Sequence, residues 1–213
     1  MKQLIIILIF SSVLISQEFQ IARVQYSGGG DWYSDPSSLP NLLHFLRTNT
    51  PMVNASEEVR IKLTDSNAKQ YPYLYLTGHG NIRFTENEVI ELRSILSNGG
   101  FLPADDNYGL DKTFRREIKK VYPNKDFIEL PHTHPIFFSF YEFGNGLPKI
   151  HEHDNKPSQG LGLIKNGKLV CYYSYESDLG DGWEDTKVHN NSDEKRELAL
   201  KMGVNIIYFA LNQ

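Results

Sequence analysis

The alternation of strand-like and helix-like runs along this chain predicts an α/β domain, a mostly parallel sheet covered by helices with an antiparallel hairpin added near the end. Three observations carry that prediction. Short apolar runs bounded by Gly, Asp and Asn alternate with segments whose apolar residues recur at helical spacing. Asn166-Gly167 stands between two strand-like runs in GLGLIKNGKLVCYYSYE (160–176), a hairpin signal. The 213 residues, 40% hydrophobic and 12% aromatic, suffice for one sizeable core, and no repeat, linker or low-complexity tract divides them.

Taken in order, QIARVQY (20–26) reads as the first strand. A helix follows in PSSLPNLLHFLRTNT, with Ser37 or Ser38 as cap and Leu39, Leu42, Leu43 and Leu46 on one face. VRIKLTD (59–65) and YPYLYLTG (71–78) are the next strands. Thr85 and Glu88 form a capping box for a helix carrying Val89, Leu92, Ile95 and Leu96 and closed by Gly99. GGFLPA (99–104) is a strand whose Pro103 argues for an edge position or a bulge, because proline cannot donate to a ladder. LDKTFRREIKKVYP is a helix with Phe114, Ile118 and Val121 inward, DFIEL (126–130) is a strand, and a long helix begins near Asp193.

The N-terminal run has Lys2, an apolar or small block from Leu4 to Ile15, then Ser16 before polar Gln17 and Glu18. That is the layout of a secretory signal peptide over residues 1–16, with the block short for a bilayer span. The expectation is export, to a bacterial periplasm, of a single α/β domain over 17–213 that has no membrane span once the signal is cut; an uncleaved anchor is the alternative. A net charge of -4 without a basic cluster excludes nucleic acid as partner. The single cysteine, Cys171, lies in the apolar strand run KLVCYYSY and so reads as a buried thiol.

The unusual residues fall after strands. SGGGDWY follows the first, TGHGN the third, DDNYG the fourth and ESDLGDGWED the last. In an open α/β sheet ligands bind outside the carboxyl ends of the strands, so these loops are expected to share one rim. Gly29 and Gly30 let backbone approach a ligand, and Asp31, Trp32 and Tyr33 supply an acid beside aromatics, as in sugar recognition; a tight turn with Trp32 packed on the sheet edge is the plainer alternative. His79, between two glycines, is a candidate acid/base or metal ligand, with a structural hydrogen bond as its alternative. Asp105 and Asp106 are candidate carboxylates for chemistry, though neighbours on a strand end point in different directions, and Asn107 joins them on the rim. In KIHEHDNK, extended backbone places the rings of His151 and His153 on one side, a platform for a divalent ion that needs a further ligand. Lys149 and Lys156 suit pairing with Glu152 and Asp154, and the segment then serves as a hydrogen-bonded edge of the rim. Glu176 and Asp178 are ligand-binding candidates in the acidic loop, which either wraps over the pocket with Trp183 as a lid or is simply a solvated loop.

The phrases GGGDWYSDPSSLPNLLHFL, YPYLYLTGHGN, GGFLPADDNYGLD, HPIFFSFYEF, GLPKIHEHD and YSYESDLGDGWED resemble the motif set of the family known as domain of unknown function 4159, from about Phe19 to the C-terminus. More distantly, GGFL, HPIF and the glycine-flanked histidine are similar to the trehalose-utilisation-like branch of the class I glutamine amidotransferase-like fold. The resemblance implies a flavodoxin-like three-layer sandwich. Amidotransferases of that fold carry a cysteine nucleophile after a central strand; here Asp105, Asp106 and Asn107 stand there, which counts against that activity.

The first functional expectation is an exported domain that binds a polar small ligand, carbohydrate being the leading class, at the carboxyl-end rim. A hydrolase that uses a divalent metal, or a carboxylate such as Asp106 as general base, on the same rim is the second. A non-enzymatic partner in an envelope assembly is the third. Sequence alone assigns no cofactor, ligand or oligomeric state.

Overall fold

The computed structural model describes residues 18–52 and 54–213; the expected signal peptide over 1–16 lies outside the described residues. Parallel β1 (Ala22–Val24), β2 (Val59–Ile61) and β3 (Leu74–Tyr75) form one ladder in the order β2-β1-β3. A second ladder contains β4 (Leu102–Asp105), β5 (Ile128–Glu129), β6 (Gln159–Lys165) and β7 (Lys168–Tyr175), in the order β4-β7-β6-β5. Strand β7 runs parallel to β4, and β6 runs antiparallel to both its neighbours.

The two ladders meet between β3 and β4, where parallel bridges join Tyr73 to Phe101 and Leu76 to Ala104. Bonds run from Leu74 N to Phe101 O, from Leu76 N to Pro103 O and from Asp105 N to Leu76 O. Pro103 has no N–H to give at the intervening step, so the ladder thins there. The expectation that Pro103 marks an edge is therefore corrected: the residue lies in the middle of the sheet, flanked by β3 and by Tyr172 of β7, and its cost is one missing rung. For the same reason the strand expected over 71–78 contracts to two regular residues with a bridge on either side. The strand expected over 59–65 stops at Ile61 because Asp65 accepts a hydrogen bond from Lys62 N and closes a turn.

Helices cover both faces. On one, α2 (Glu86–Ser97) and α3 (Asp111–Val121) bury Leu92, Leu96, Phe114 and Ile118 against Val24, Leu76 and Tyr173. On the other, α1 (Ser38–Asn49) and α6 (Asp193–Asn212), with short α4 (Leu179–Trp183), bury Leu43, Leu46, Met202 and Trp183 against Tyr73, Tyr75 and Tyr172. The chain is thus a three-layer α/β sandwich. A further short helix, α5 (Thr186–His189), joins α4 to α6. No helix among the described residues is long and apolar enough to cross a membrane.

Local chemistry explains several boundaries. The Thr85/Glu88 capping box opens α2, and Gly99, at φ +94°, closes it. Asn166 and Gly167 both take positive φ in the β6-β7 turn, as a type I′ hairpin requires. Ser37, expected to cap α1 with its hydroxyl, instead donates its N–H to Glu184 and accepts from Asp185 N, so the start of α1 is tied to the end of α4.

Candidate metal centre

Because β1, β3, β4 and β7 are parallel, the loops that follow them leave the same end of the sheet. Hydrogen bonds then join them. His79 donates its N–H to Asp31, and its Nδ1 lies 3.1 Å from Asp31 Oδ2. Asn107 donates Nδ2 to Asp35 Oδ2 at 3.1 Å and receives the Thr77 hydroxyl on its Oδ1. Asp105 receives Leu179 N, Gly180 N and the Ser174 hydroxyl, while Asp106 receives Glu176 N at 2.8 Å and the Tyr173 hydroxyl at 2.7 Å.

At the centre of this rim, carboxylates and imidazoles converge. His151, His153 and Asp178 each turn one ligand-type atom toward a common point, all within 4.8 Å of one another, and Asp35, Asp181 and His189 form a second such group. His153 Nε2 is 2.9 Å from Asp178 Oδ2, and His151 Nδ1 is 3.8 Å from the same oxygen. His151 Nδ1 also lies 3.0 Å from Asp181 Oδ2, whose other oxygen is 3.1 Å from His189 Nε2. Ligands that each stand about 2.1 Å from a tetrahedral zinc lie about 3.4 Å apart, so these separations suit a shared ion.

The rings of His151 and His153 stand edge to face, with centroids 6.0 Å apart and planes at 78°, and both approach Asp178 Oδ2. Lys149 turns to Glu176 at 3.0 Å and to Glu152 at 3.6 Å, and Lys156 turns to Asp154 at 3.4 Å, so each lysine is paired with a carboxylate outside the two histidine–aspartate groups. Asp178, Asp181 and Asp35 are buried, and among the described residues no lysine or arginine makes an ion pair with any of them. Buried carboxylates in that condition call for a cation or a proton.

The titration pattern follows from crowding. Burial opposes ionisation of Asp178, but hydrogen bonds from His151 and His153 and the charge of His153 outweigh it and hold this carboxyl below its usual range. Burial and the negative charges of Asp178, Asp35 and Asp105 push Asp181 up to about 9. Burial, then Asp178, lifts Asp35 to about 6 and Asp105 to about 8. The hydrogen bond to Asp178 raises His153, whereas burial lowers His189.

Two elements set these positions. Arg23, buried inside β1, donates to the carbonyls of Ser34 and Asp35 and to the Ser38 hydroxyl, which fixes the turn bearing Asp35. Asp105 receives the first amides of α4, and this helix carries Asp181 on the turn after Asp178.

Several expected site residues have other duties. Asp105 and Asp106, candidates for acid/base chemistry, spend their oxygens on loop amides and hydroxyls. Trp183 is not a lid: only 3% exposed, it donates its indole N–H to Ala199 O at 2.8 Å and packs on Tyr75. His79 belongs to neither metal-type group, although its charge bears on Asp35 and His189. Gly30 approaches the neighbouring loop, since a Cβ there would meet His79 O at 2.7 Å, and Gly29 faces open space. Trp32 is half-buried against the core, with Tyr33 exposed beside it. Glu176 is buried and takes Lys149 and Asp154 N.

Of Asp35, Asp181 and His189, only Asp181 is visible in the sequence, as one of five acids in the loop 176–185. The i, i+3 spacing of Asp178 and Asp181 across one helical turn was a readable signal for the second of these. Asp35 lies in the bend before α1 and His189 at the end of α5, and nothing local marks them.

A hollow of about 210 Å³ adjoins His153, walled by Asp106, Tyr108, Lys112, Tyr175 and Glu176. A larger one of about 490 Å³, walled by Phe19, Met52, Tyr71 and Leu211, opens at the opposite, amino-terminal end of the strands and holds no histidine. The chemistry and the larger space therefore lie at different ends of the molecule, and the residue types favour the smaller hollow.

No curated protein matches the chain. The family described as "Domain of unknown function (DUF4159)" matches residues 20–211, nearly the whole length, and the chain belongs to that family.

Proposed function

We propose that this protein is a metal-dependent hydrolase whose first ion is held by His151, His153 and Asp178. The observation that carries the reading is the convergence of these side chains within 4.8 Å at the carboxyl-end rim, with His151 more than half exposed. Three protein ligands that leave a coordination position open to solvent are the arrangement of catalytic rather than structural zinc sites. In such a position an ion lowers the pKa of bound water and polarises the bond under attack. The hollow beside His153, whose wall carries Asp106, Asp111, Asp154 and Glu176 as well as Lys112 and Lys156, would receive a polar substrate.

The test combines metal content with turnover. Protein purified from medium with zinc should hold metal in stoichiometric amount. It should also hydrolyse at least one member of a panel of chromogenic acetyl, phosphoryl and glycosyl esters, and both properties should disappear on chelation and in His153→Ala. Metal-free protein that stays indifferent to zinc, manganese and chelator would end the proposal.

A second reading, binding of carbohydrate without chemistry, is favoured by Tyr33 and Tyr108, which are 61% and 62% exposed. Tyr108 touches the edge of the His153 ring, so a sugar stacked there would reach the cluster. Retention on a glycan array that is lost in Tyr108→Ala and unaffected by chelator would favour it over hydrolysis. The N-terminal run supports export to the periplasm under either reading.

A further inference from the structure

Asp181 presents its two oxygens to two different histidines, Oδ2 to His151 of the first group and Oδ1 to His189 of the second. A carboxylate that spans neighbouring ligand sets in this way is placed to bridge two ions, which in two-metal hydrolytic sites stand about 3.5–4 Å apart. The second set is complete in kind, with Asp35, Asp181 and His189 offering two carboxylates and an imidazole within 4.8 Å.

An independent observation lies behind it. The Tyr75 hydroxyl is buried, with the residue 2% exposed, and has no hydrogen-bond partner. The neighbouring Thr77 hydroxyl donates to Asn107 and lies near enough to Tyr75 to ease its ionisation, but no well-formed hydrogen bond joins the two. Tyr75 looks across the Cα of Gly180, where a Cβ would stand 3.4 Å from its oxygen, 2.9 Å from Asp35 Oδ2 and 2.9 Å from Asp105 Oδ2. A buried hydroxyl left without a partner calls for an explanation, and a water held by an ion beside Asp35 would donate to the Tyr75 oxygen. The charge count agrees: among the described residues neither Asp35 nor Asp181 pairs with a lysine or arginine, and the ion-pair-type contacts of Asp181 are to histidines alone.

We infer that Asp35, Asp181 and His189 bind a second divalent cation and that Asp181 bridges it to the first, so the rim holds a dinuclear centre. This inference rests on the proposed first site and adds to it a clamp in which one ion activates water while the other steadies the leaving oxygen.

The experiment is a stoichiometry. The full chain is stripped by chelator and titrated separately with Zn²⁺ and Mn²⁺ by calorimetry, with elemental analysis after desalting. Wild type should bind two ions. Asp35→Asn and His189→Gln should each bind one, and His153→Gln should also lose one. Manganese-loaded wild type should give a spin-coupled paramagnetic resonance spectrum that both second-site variants convert to that of an isolated ion. His189 is partly exposed, so His189→Gln gives a folded control should Asp35→Asn fail to fold. One ion in wild type, lost in His153→Gln and kept in His189→Gln, would overturn the second site and leave the proposed function standing. No ion at all would overturn both.

Discussion

Trp183 provides the sharpest test of how the rim is supported, because the same residue would behave in opposite ways as a lid and as a core anchor. Its side chain is buried between α4 and α6, with the indole N–H on Ala199 O at 2.8 Å and the ring 5.8 Å from that of Tyr75. Its carbonyl receives Asn41 from α1, so one residue joins three helices. Trp183→Ala deletes a buried aromatic and opens a cavity, a change that costs about 3–5 kcal/mol. For a domain of this size each kcal/mol moves Tm by roughly 2–4 °C, so the melting temperature should fall by about 6–20 °C. Trp183→Phe keeps most of the ring and loses the N–H bond, for about 1 kcal/mol. Thermal melts followed by circular dichroism, run without ligand or metal, measure both. A Trp183→Ala protein that melts within 2 °C of wild type, yet loses ligand binding, would restore the lid and refute the packing argument.

Gly182→Ala should cost roughly 1–3 kcal/mol, since its Cβ would stand 2.3 Å from that of Ala199 and force α4 off α6; an unchanged urea midpoint would contradict that close approach. Asn205, fully buried, accepts Phe140 N and Tyr141 N and donates to Tyr141 O, so Asn205→Leu should lose about 3 kcal/mol in chemical denaturation, and a loss under about 1 kcal/mol would show that these bonds are re-formed elsewhere. Burial raises the pKa of Glu117, but bonds from Lys120, Phe84 N and Arg116 outweigh it and leave the carboxyl below its usual range. A depressed acid stabilises the fold above its unfolded pKa and ceases to do so as pH drops through the folded value. Glu117→Gln should therefore be less stable than wild type by roughly 1–2 kcal/mol at neutral pH, with the gap closing in acid; a gap independent of pH would count against the ion pairs. The Cys171 thiol, fully buried and with its pKa pushed up by burial, should resist a thiol reagent in native protein and react once denatured, so labelling within minutes under native conditions would be inconsistent with its place in β7.

The elements that were legible in the sequence are those specified by neighbours in the chain. The Asn166-Gly167 turn, the Thr85/Glu88 box and the helical spacing of Leu39, Leu42, Leu43 and Leu46 each encode their outcome within a few residues. Pro103 was misread because a rule about edges is statistical. A central strand can also dispense with one donor when the rungs on either side, Leu74 to Phe101 and Asp105 to Leu76, are kept. The lid expectation for Trp183 fails because a tryptophan between Gly182 and Glu184 in an acidic run looks exposed in sequence. Its burial depends on small residues far along the chain: Ala199 accepts its N–H, and a Cβ on Gly203 would lie 3.0 Å from the indole. In the site, the H-x-H pair declared itself by spacing, whereas Asp35 and His189 joined through contacts made only in three dimensions.

The acids of the rim divide into those that shape it and those whose oxygens remain for a cation. Asp35, Glu176 and Asp178 adopt left-handed backbone, with φ of 54°, 57° and 60°. Such conformations cost on the order of 1 kcal/mol or more each and persist only where the surroundings over-determine them. The surroundings here are identifiable. Arg23 grips the Asp35 carbonyl, Asp106 accepts Glu176 N, and Asp105 accepts the amides of Leu179 and Gly180 directly after Asp178. Asp105 and Asp106 thus accept hydrogen bonds on both of their oxygens, and these bonds hold the strained neighbours in place. The oxygens that these constraints leave facing imidazoles belong to Asp178 and Asp181, and Asp35 keeps one oxygen beyond its bond to Asn107. A rim held in place by amide bonds rather than by the ion itself is preorganised before any ligand arrives. Metal should therefore bind to a folded site, with little change in secondary structure on loading.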